Sequence, residues 1–99
     1  MSDKIYSIDE IKLIVAPIAT KYGVSRVFLF GSYARGQASG ESDLDFVIDK
    51  GGLRGLKFAG MLGDLQENFD KNIDLLTSSS LAANGFGRGI EKDMVVVYQ

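Results

Sequence analysis

The sequence predicts an α/β fold, a β-sheet flanked by helices. Short apolar runs at 27–30, 44–48, 71–76 and 94–98 read as strands, two segments of helical periodicity alternate with them, and glycine-rich or polar turns separate the elements. At 99 residues the chain, 1–99, is expected to form a single domain. A chain of this size buries about 60 to 65 per cent of its unfolded surface, enough for a modest core.

Ser7-Ile8-Asp9-Glu10 has the capping-box pattern that opens a helix. Ile8, Ile11, Ile14, Val15, Ile18 and Tyr22 then follow helical spacing, until Lys21 supplies a terminal cation and Gly23 a stop. Pro17 removes one backbone bond inside this helix and predicts a kink. Val27-Phe28-Leu29-Phe30 suits a strand buried on both faces and ends abruptly at Gly31. Gly31 allows positive φ and close backbone approach, and Ser32 is a favoured N-cap. A short helix is therefore expected from Tyr33-Ala34-Arg35, its free N–H groups attractive to phosphate.

Gln37 to Ser42 is a polar turn leading to the second strand, Leu44-Asp45-Phe46-Val47-Ile48. After a turn at Gly51-Gly52, Leu53, Leu56, Ala59, Leu62, Leu65 and Phe69 trace one face of a second helix. Gly60 and Gly63 weaken that helix and suit close packing. Lys71-Asn72-Ile73-Asp74-Leu75-Leu76 is a third strand, with a loop at 77–80 behind it. Short helical stretches are expected at 81–83 and 86–92, then a last strand at 94–98.

The chemistry lies in the acids. Asp43 and Asp45 are two apart, so a strand's period of two turns both carboxylates to one face and Leu44, Phe46 and Ile48 to the other. Pairing the third strand beside the second brings Asp74 alongside. Three carboxylates converging on one spot repel by roughly 4 kcal/mol per pair at ~4 Å and an effective dielectric near 20, so a cation is expected to neutralise them. An all-oxygen donor set suits Mg²⁺ or Mn²⁺, and the chain has no His or Cys for a softer metal.

Gly31-Ser32, Arg35-Gly36, Asp43-x-Asp45 and the later Asp74 occur in the order found in the DNA polymerase beta-type nucleotidyltransferase superfamily, which the chain resembles over nearly its whole length. It looks closest to the minimal nucleotidyltransferases. The resemblance implies a mixed rather than purely parallel sheet. It implies that Asp43, Asp45 and Asp74 are the catalytic and metal-binding residues, holding two Mg²⁺ ions, and that Gly31, Ser32 and Arg35 bind the nucleotide, ATP. It further implies an antitoxin that transfers AMP to a tyrosine of a HEPN ribonuclease toxin, its protein partner in a hetero-oligomer. Asp74 would then bind the catalytic metal and deprotonate or orient the acceptor hydroxyl.

Composition narrows the acceptor. The net charge of −2 disfavours a broad nucleic-acid footprint. Without an acceptor-binding region, a partner protein is expected to be the acceptor. There is no cysteine, no secretory apolar segment after Met1-Ser2-Asp3-Lys4 and no run of membrane-spanning length, so a soluble cytoplasmic protein is expected. Two other readings stay open: an antitoxin acting by contact alone, and a small-molecule or RNA nucleotidyltransferase completed by oligomerisation. Tyr33 either covers the nucleotide or packs on the sheet, and packing is the simpler role. Arg88 and Gly51-Gly52 carry only weak phosphate signals.

Overall fold

The computed structural model describes residues 4–49, 55–77 and 94–99. Within them the order is α1 (Ile8–Tyr22), β1 (Arg26–Phe30), β2 (Leu44–Asp49), α2 (Leu56–Phe69), β3 (Ile73–Thr77) and β4 (Val95–Tyr98). The turn expected at Gly51-Gly52, the helical stretches expected at 81–83 and 86–92, and Arg88 lie outside the described residues.

α1 begins at the capping box. The Glu10 N–H donates to Ser7 Oγ at 3.1 Å and the Ser7 N–H to Glu10 Oε1 at 3.0 Å, which satisfies two donors that a helix start leaves orphaned. It closes at Gly23, whose N–H donates to Thr20 O while that of Val24 reaches back to Ala19 O, both at 3.2 Å. The helix runs on through Pro17. The carbonyl left without its usual N–H is that of Leu13, a residue 76% exposed, so the gap in the ladder faces water.

α2 buries Met61, Leu65 and Phe69, with Phe58 and Leu62 packed partly against the core. Two positions expected on this face are not on it: Leu56 is 91% exposed and Ala59 is exposed, while Leu53 lies outside the described residues. At 100° per residue Leu56 falls about 140° away from Phe69, whereas Phe58 falls about 20° away, so the core selects the second set. Gly60 does mediate close packing, since a Cβ there would stand 2.8 Å from Tyr22 Oη of α1; among the described residues one on Gly63 would meet nothing within 4 Å.

Among the described residues the sheet has four strands in the order β3-β2-β1-β4, with β2 and β3 parallel and the other two pairs antiparallel. It is a mixed sheet. Alternation sends Val27, Leu29, Leu44, Phe46, Ile48, Ile73 and Leu75 into one cluster with Ile11, Val15 and Ile18 of α1 and Met61, Leu65 and Phe69 of α2. Full burial of each such side chain contributes about 1.5–3 kcal/mol. The Tyr6 and Phe69 rings meet edge-on at 5.1 Å, and the Tyr6 hydroxyl donates to Phe69 O at 2.8 Å, which fastens the segment before α1 to the end of α2. The opposite positions of the strands, among them Phe30, Asp45 and Asp74, belong to the other face of the sheet. No helix among the described residues is long and apolar enough to cross a membrane.

Candidate active site

β1 delivers the chain to Gly31, where φ is 76°. Residues 31–36 form consecutive turns in place of the expected short helix. The Arg35 N–H donates to Gly31 O at 3.2 Å, as in a helix, but that of Gln37 reaches back to Ser32 O at 2.8 Å and that of Gly36 to Tyr33 O at 3.3 Å. The chain thus closes on itself after one turn, too short for a helix to propagate. These bonds use the N–H groups of Arg35, Gly36 and Gln37. Those of Ser32, Tyr33 and Ala34 are not among them, and the first N–H groups of a helix would be spared in the same way.

The sheet register brings the acids to this turn. Asp45 pairs across to Phe30, the residue before Gly31, and on its other side to Asp74 of β3. A Cβ on Gly31 would collide with Asp45 Oδ2, so the turn and the carboxyl share a space that a larger residue would fill. Asp43, exposed, stands just ahead of β2. Burial pushes the half-buried Asp45 carboxyl up to about 7, helped by a hydrogen bond to Asp74 and by the charges of Asp74 and Asp43, with Arg35 acting in the opposite sense. Asp43, Asp74, Arg35 and Gly31 therefore all bear on Asp45 at one end of the strands.

The assembly is tighter at one point than at the others. Asp45 and Asp74 are joined by a hydrogen bond, and Asp43 reaches Asp45 through its charge. Among the described residues, no group of three His, Cys, Asp or Glu side chains is gathered closely enough to hold a metal ion. The expected single point of three carboxylates is thus a pair with a third acid beside it. Arg35 is exposed, and its Nε donates to Gln37 Oε1 at 3.3 Å, which holds the guanidinium over its own turn.

Tyr33 has the packing role. It is 4% exposed within the core cluster, with Ala34 and Ala38 packed against that cluster, and its hydroxyl finds no hydrogen-bond partner among the described residues. Sequence reasoning passed over Lys71, which is 6% exposed and donates from Nζ to Gly40 O at 2.8 Å. A lysine between a helix end and a strand ordinarily reads as surface, so only its place just before the Asp74 strand hinted at a role.

The family model described as "Polymerase beta, Nucleotidyltransferase" matches residues 13–99. The chain belongs to this nucleotidyltransferase family. It is similar to the Methanocaldococcus jannaschii protein named "Putative protein adenylyltransferase MJ0435", with 38% identity over 76% of this chain and 82% of that one. It is also similar to the "Protein adenylyltransferase MntA" of Thermococcus cleftensis, with 32% identity over 78% of each chain. These likenesses place it among the minimal nucleotidyltransferases. In fold it is similar to a chain of a crystal structure of a toxin–antitoxin with AMP-PNP, with a TM-score of 0.69 and 17% identity over 88% of this chain and 72% of that one.

Proposed function

We propose that this nucleotidyltransferase is the antitoxin of a toxin–antitoxin pair and transfers AMP from ATP, with Mg²⁺, to a tyrosine of a HEPN ribonuclease toxin. The observation that carries the reading is the direct pairing of Asp45 with Asp74 beside the Gly31 turn, with Asp43 ahead of the same strand. Two relatives bear the name protein adenylyltransferase, and a chain of the same fold occurs in a toxin–antitoxin crystal structure with AMP-PNP, which supports a protein acceptor and an adenine nucleotide.

The chemistry of the close Asp45–Asp74 pair suits a divalent cation, with Asp43 the third acid beside it. Asp45 and Asp74 offer only oxygen, and burial, reinforced by the neighbouring Asp74 and Asp43, raises the Asp45 carboxyl to about 7, so that it holds a proton a doubly charged ion would displace. Asp43 and Asp45 would hold two Mg²⁺ ions, with Asp74 as a ligand of the catalytic one. When bound, magnesium neutralises charge on the phosphate oxygens and on the attacking oxygen.

The chain's own groups do the rest. Gly31, Ser32 and Arg35 hold the triphosphate through backbone N–H groups, a hydroxyl and a guanidinium. Asp74 is exposed and so open to an incoming protein side chain. It takes the proton of the tyrosine hydroxyl as the oxygen bonds to the α-phosphorus, while the bond from that phosphorus to pyrophosphate breaks. No covalent enzyme intermediate is formed.

The test is incubation with Mg²⁺ and α-phosphate-labelled ATP in a lysate of the source organism, beside the Asp43→Asn, Asp45→Asn double variant. A labelled protein band that requires both aspartates supports the reading and supplies the acceptor for sequencing. Equal neutralisation of the toxin by wild type and double variant, with no label, replaces it with inhibition by contact. Label in RNA or a small molecule replaces the acceptor.

A further inference from the structure

Lys71 is the charged side chain that the described residues bury most completely, at 6% exposed. An ammonium held out of water is costly, and lysine is seldom so fully buried unless it is paired. Lys71 donates to Gly40 O, at 2.8 Å and 31 residues away in sequence. The next residue makes the second contact, for Asn72 O accepts from the Leu44 N–H at 3.1 Å.

The segment from Gly40 to Leu44 is therefore held at both ends by two consecutive residues, and Asp43 lies inside it. A brace from the residue just before it completes the segment, because the Ser39 N–H donates to Ser42 Oγ at 2.9 Å and the Ser42 N–H to Ser39 O at 3.1 Å. The holding residues are well fixed themselves. They follow Asp70, which ends α2 with φ of 52° and its N–H on Gln66 O at 2.8 Å, and they lead directly into β3 and Asp74.

We propose that Lys71 is a positioning residue for nucleotidyl transfer: by gripping Gly40 it fixes Asp43, the acid ahead of β2, relative to Asp45 and Asp74. The inference rests on the function proposed above. Asp45 and Asp74 are set by strand pairing and need no such device. Asp43 lies outside β2, so its place depends on the segment that carries it.

The probe is Mn²⁺, followed by water-proton relaxation, together with amide hydrogen exchange in Lys71→Met and Lys71→Arg. Lys71→Met keeps the apolar stem and removes the donor. It is expected to leave β1 amides protected, to speed exchange at Asp43 and Leu44 at least tenfold, and to raise the Mn²⁺ concentration for half-saturation at least tenfold. In the transfer assay kcat falls more than KM for ATP changes. Lys71→Arg, which still donates, stays within threefold of wild type. Unchanged exchange and Mn²⁺ binding in Lys71→Met overturns the proposal. If Lys71→Met does not fold, Lys71→Gln, too short to reach Gly40 O, is read against the same outcomes. A wild type that neither transfers AMP nor binds Mn²⁺ defeats the proposed function, and the exchange comparison alone still decides the clamp.

Discussion

Gly31 has no side chain at the place where Asp45 has its carboxyl. With φ at 76°, a Cβ on Gly31 would run into Asp45 Oδ2, so one position must be glycine for the other to present its oxygens beside the turn. Gly31→Ala faces both a left-handed backbone and this collision, and a loss of about 2 kcal/mol is expected in urea unfolding. Transfer is expected to fall about a hundredfold even where the variant is fully folded, because displacing a reacting group by an ångström has that effect. Wild-type stability and activity in Gly31→Ala would show that the Asp45 carboxyl does not need this space.

Asp45 also sets a pH dependence. Its carboxyl titrates at about 7 in the folded protein, against about 4 in an unfolded chain. The folded state therefore binds more protons between these values. The contribution to stability is fully present below about pH 4 and is lost as pH rises through about 7. Screening of a half-exposed carboxyl reduces the swing to about 1–2 kcal/mol. Surface acids such as Asp64, held low by Lys21, act in the opposite direction, so the informative quantity is the difference between Asp45→Asn and wild type. In metal-free urea titrations the variant should gain on wild type between pH 5 and pH 8, and Mg²⁺ at pH 8 should stabilise wild type alone. An equal difference at both pH values contradicts the raised Asp45 carboxyl.

Much of this arrangement was legible in the chain because it rests on local chemistry. The capping box at Ser7 and Glu10, the Gly23 stop and the four strand runs each carry their own signal. Asp45 beside Asp74 required only that the third strand lie next to the second, and their parallel register supplies the rest. The short helix expected after Ser32 failed because the bond from Gln37 to Ser32 closes the chain before a second helical turn, a competition among backbone partners that composition does not reveal. The face of α2 was misread at Leu56 and Ala59 because leucine and alanine at helical spacing outweighed Phe58 and Met61 until the sheet fixed the rotation. Lys71 was illegible because the carbonyl it grips is distant in sequence and carries no side-chain signature.

The Tyr33 hydroxyl, at a residue 4% exposed, is enclosed without a hydrogen-bond partner among the described residues. Burying an unsatisfied donor costs about 1–3 kcal/mol, and removing it while keeping the ring restores part of this. Tyr33→Phe is expected to be about 1 kcal/mol more stable than wild type by chemical denaturation, with KM for ATP unchanged. A destabilised Tyr33→Phe would mean that the hydroxyl is bonded in solution. A raised KM would bring back the reading in which Tyr33 covers the nucleotide.

The two glycines of α2 should respond differently to the same change. A Cβ on Gly63 meets nothing within 4 Å among the described residues, so Gly63→Ala is expected to stabilise by about 0.5–1 kcal/mol through lost freedom of the unfolded chain. At Gly60 the added carbon would stand 2.8 Å from Tyr22 Oη, which itself donates to Asp64 Oδ2 at 2.8 Å. Lys21 Nζ binds the same oxygen at 2.9 Å, so the phenol cannot shift without giving up its place in a three-residue contact between α1 and α2. The helical gain and the lost hydrogen bond, each about 1 kcal/mol, then nearly cancel, leaving Gly60→Ala at or below wild type. Removing the phenol oxygen should release the gain. In a Tyr22→Phe background Gly60→Ala should stabilise as much as Gly63→Ala does, and thermal melts of the four combinations give the coupling directly. A Gly60→Ala gain that is the same with tyrosine or phenylalanine at 22 would show that the Tyr22–Asp64 bond yields freely and does not hold the two helices together.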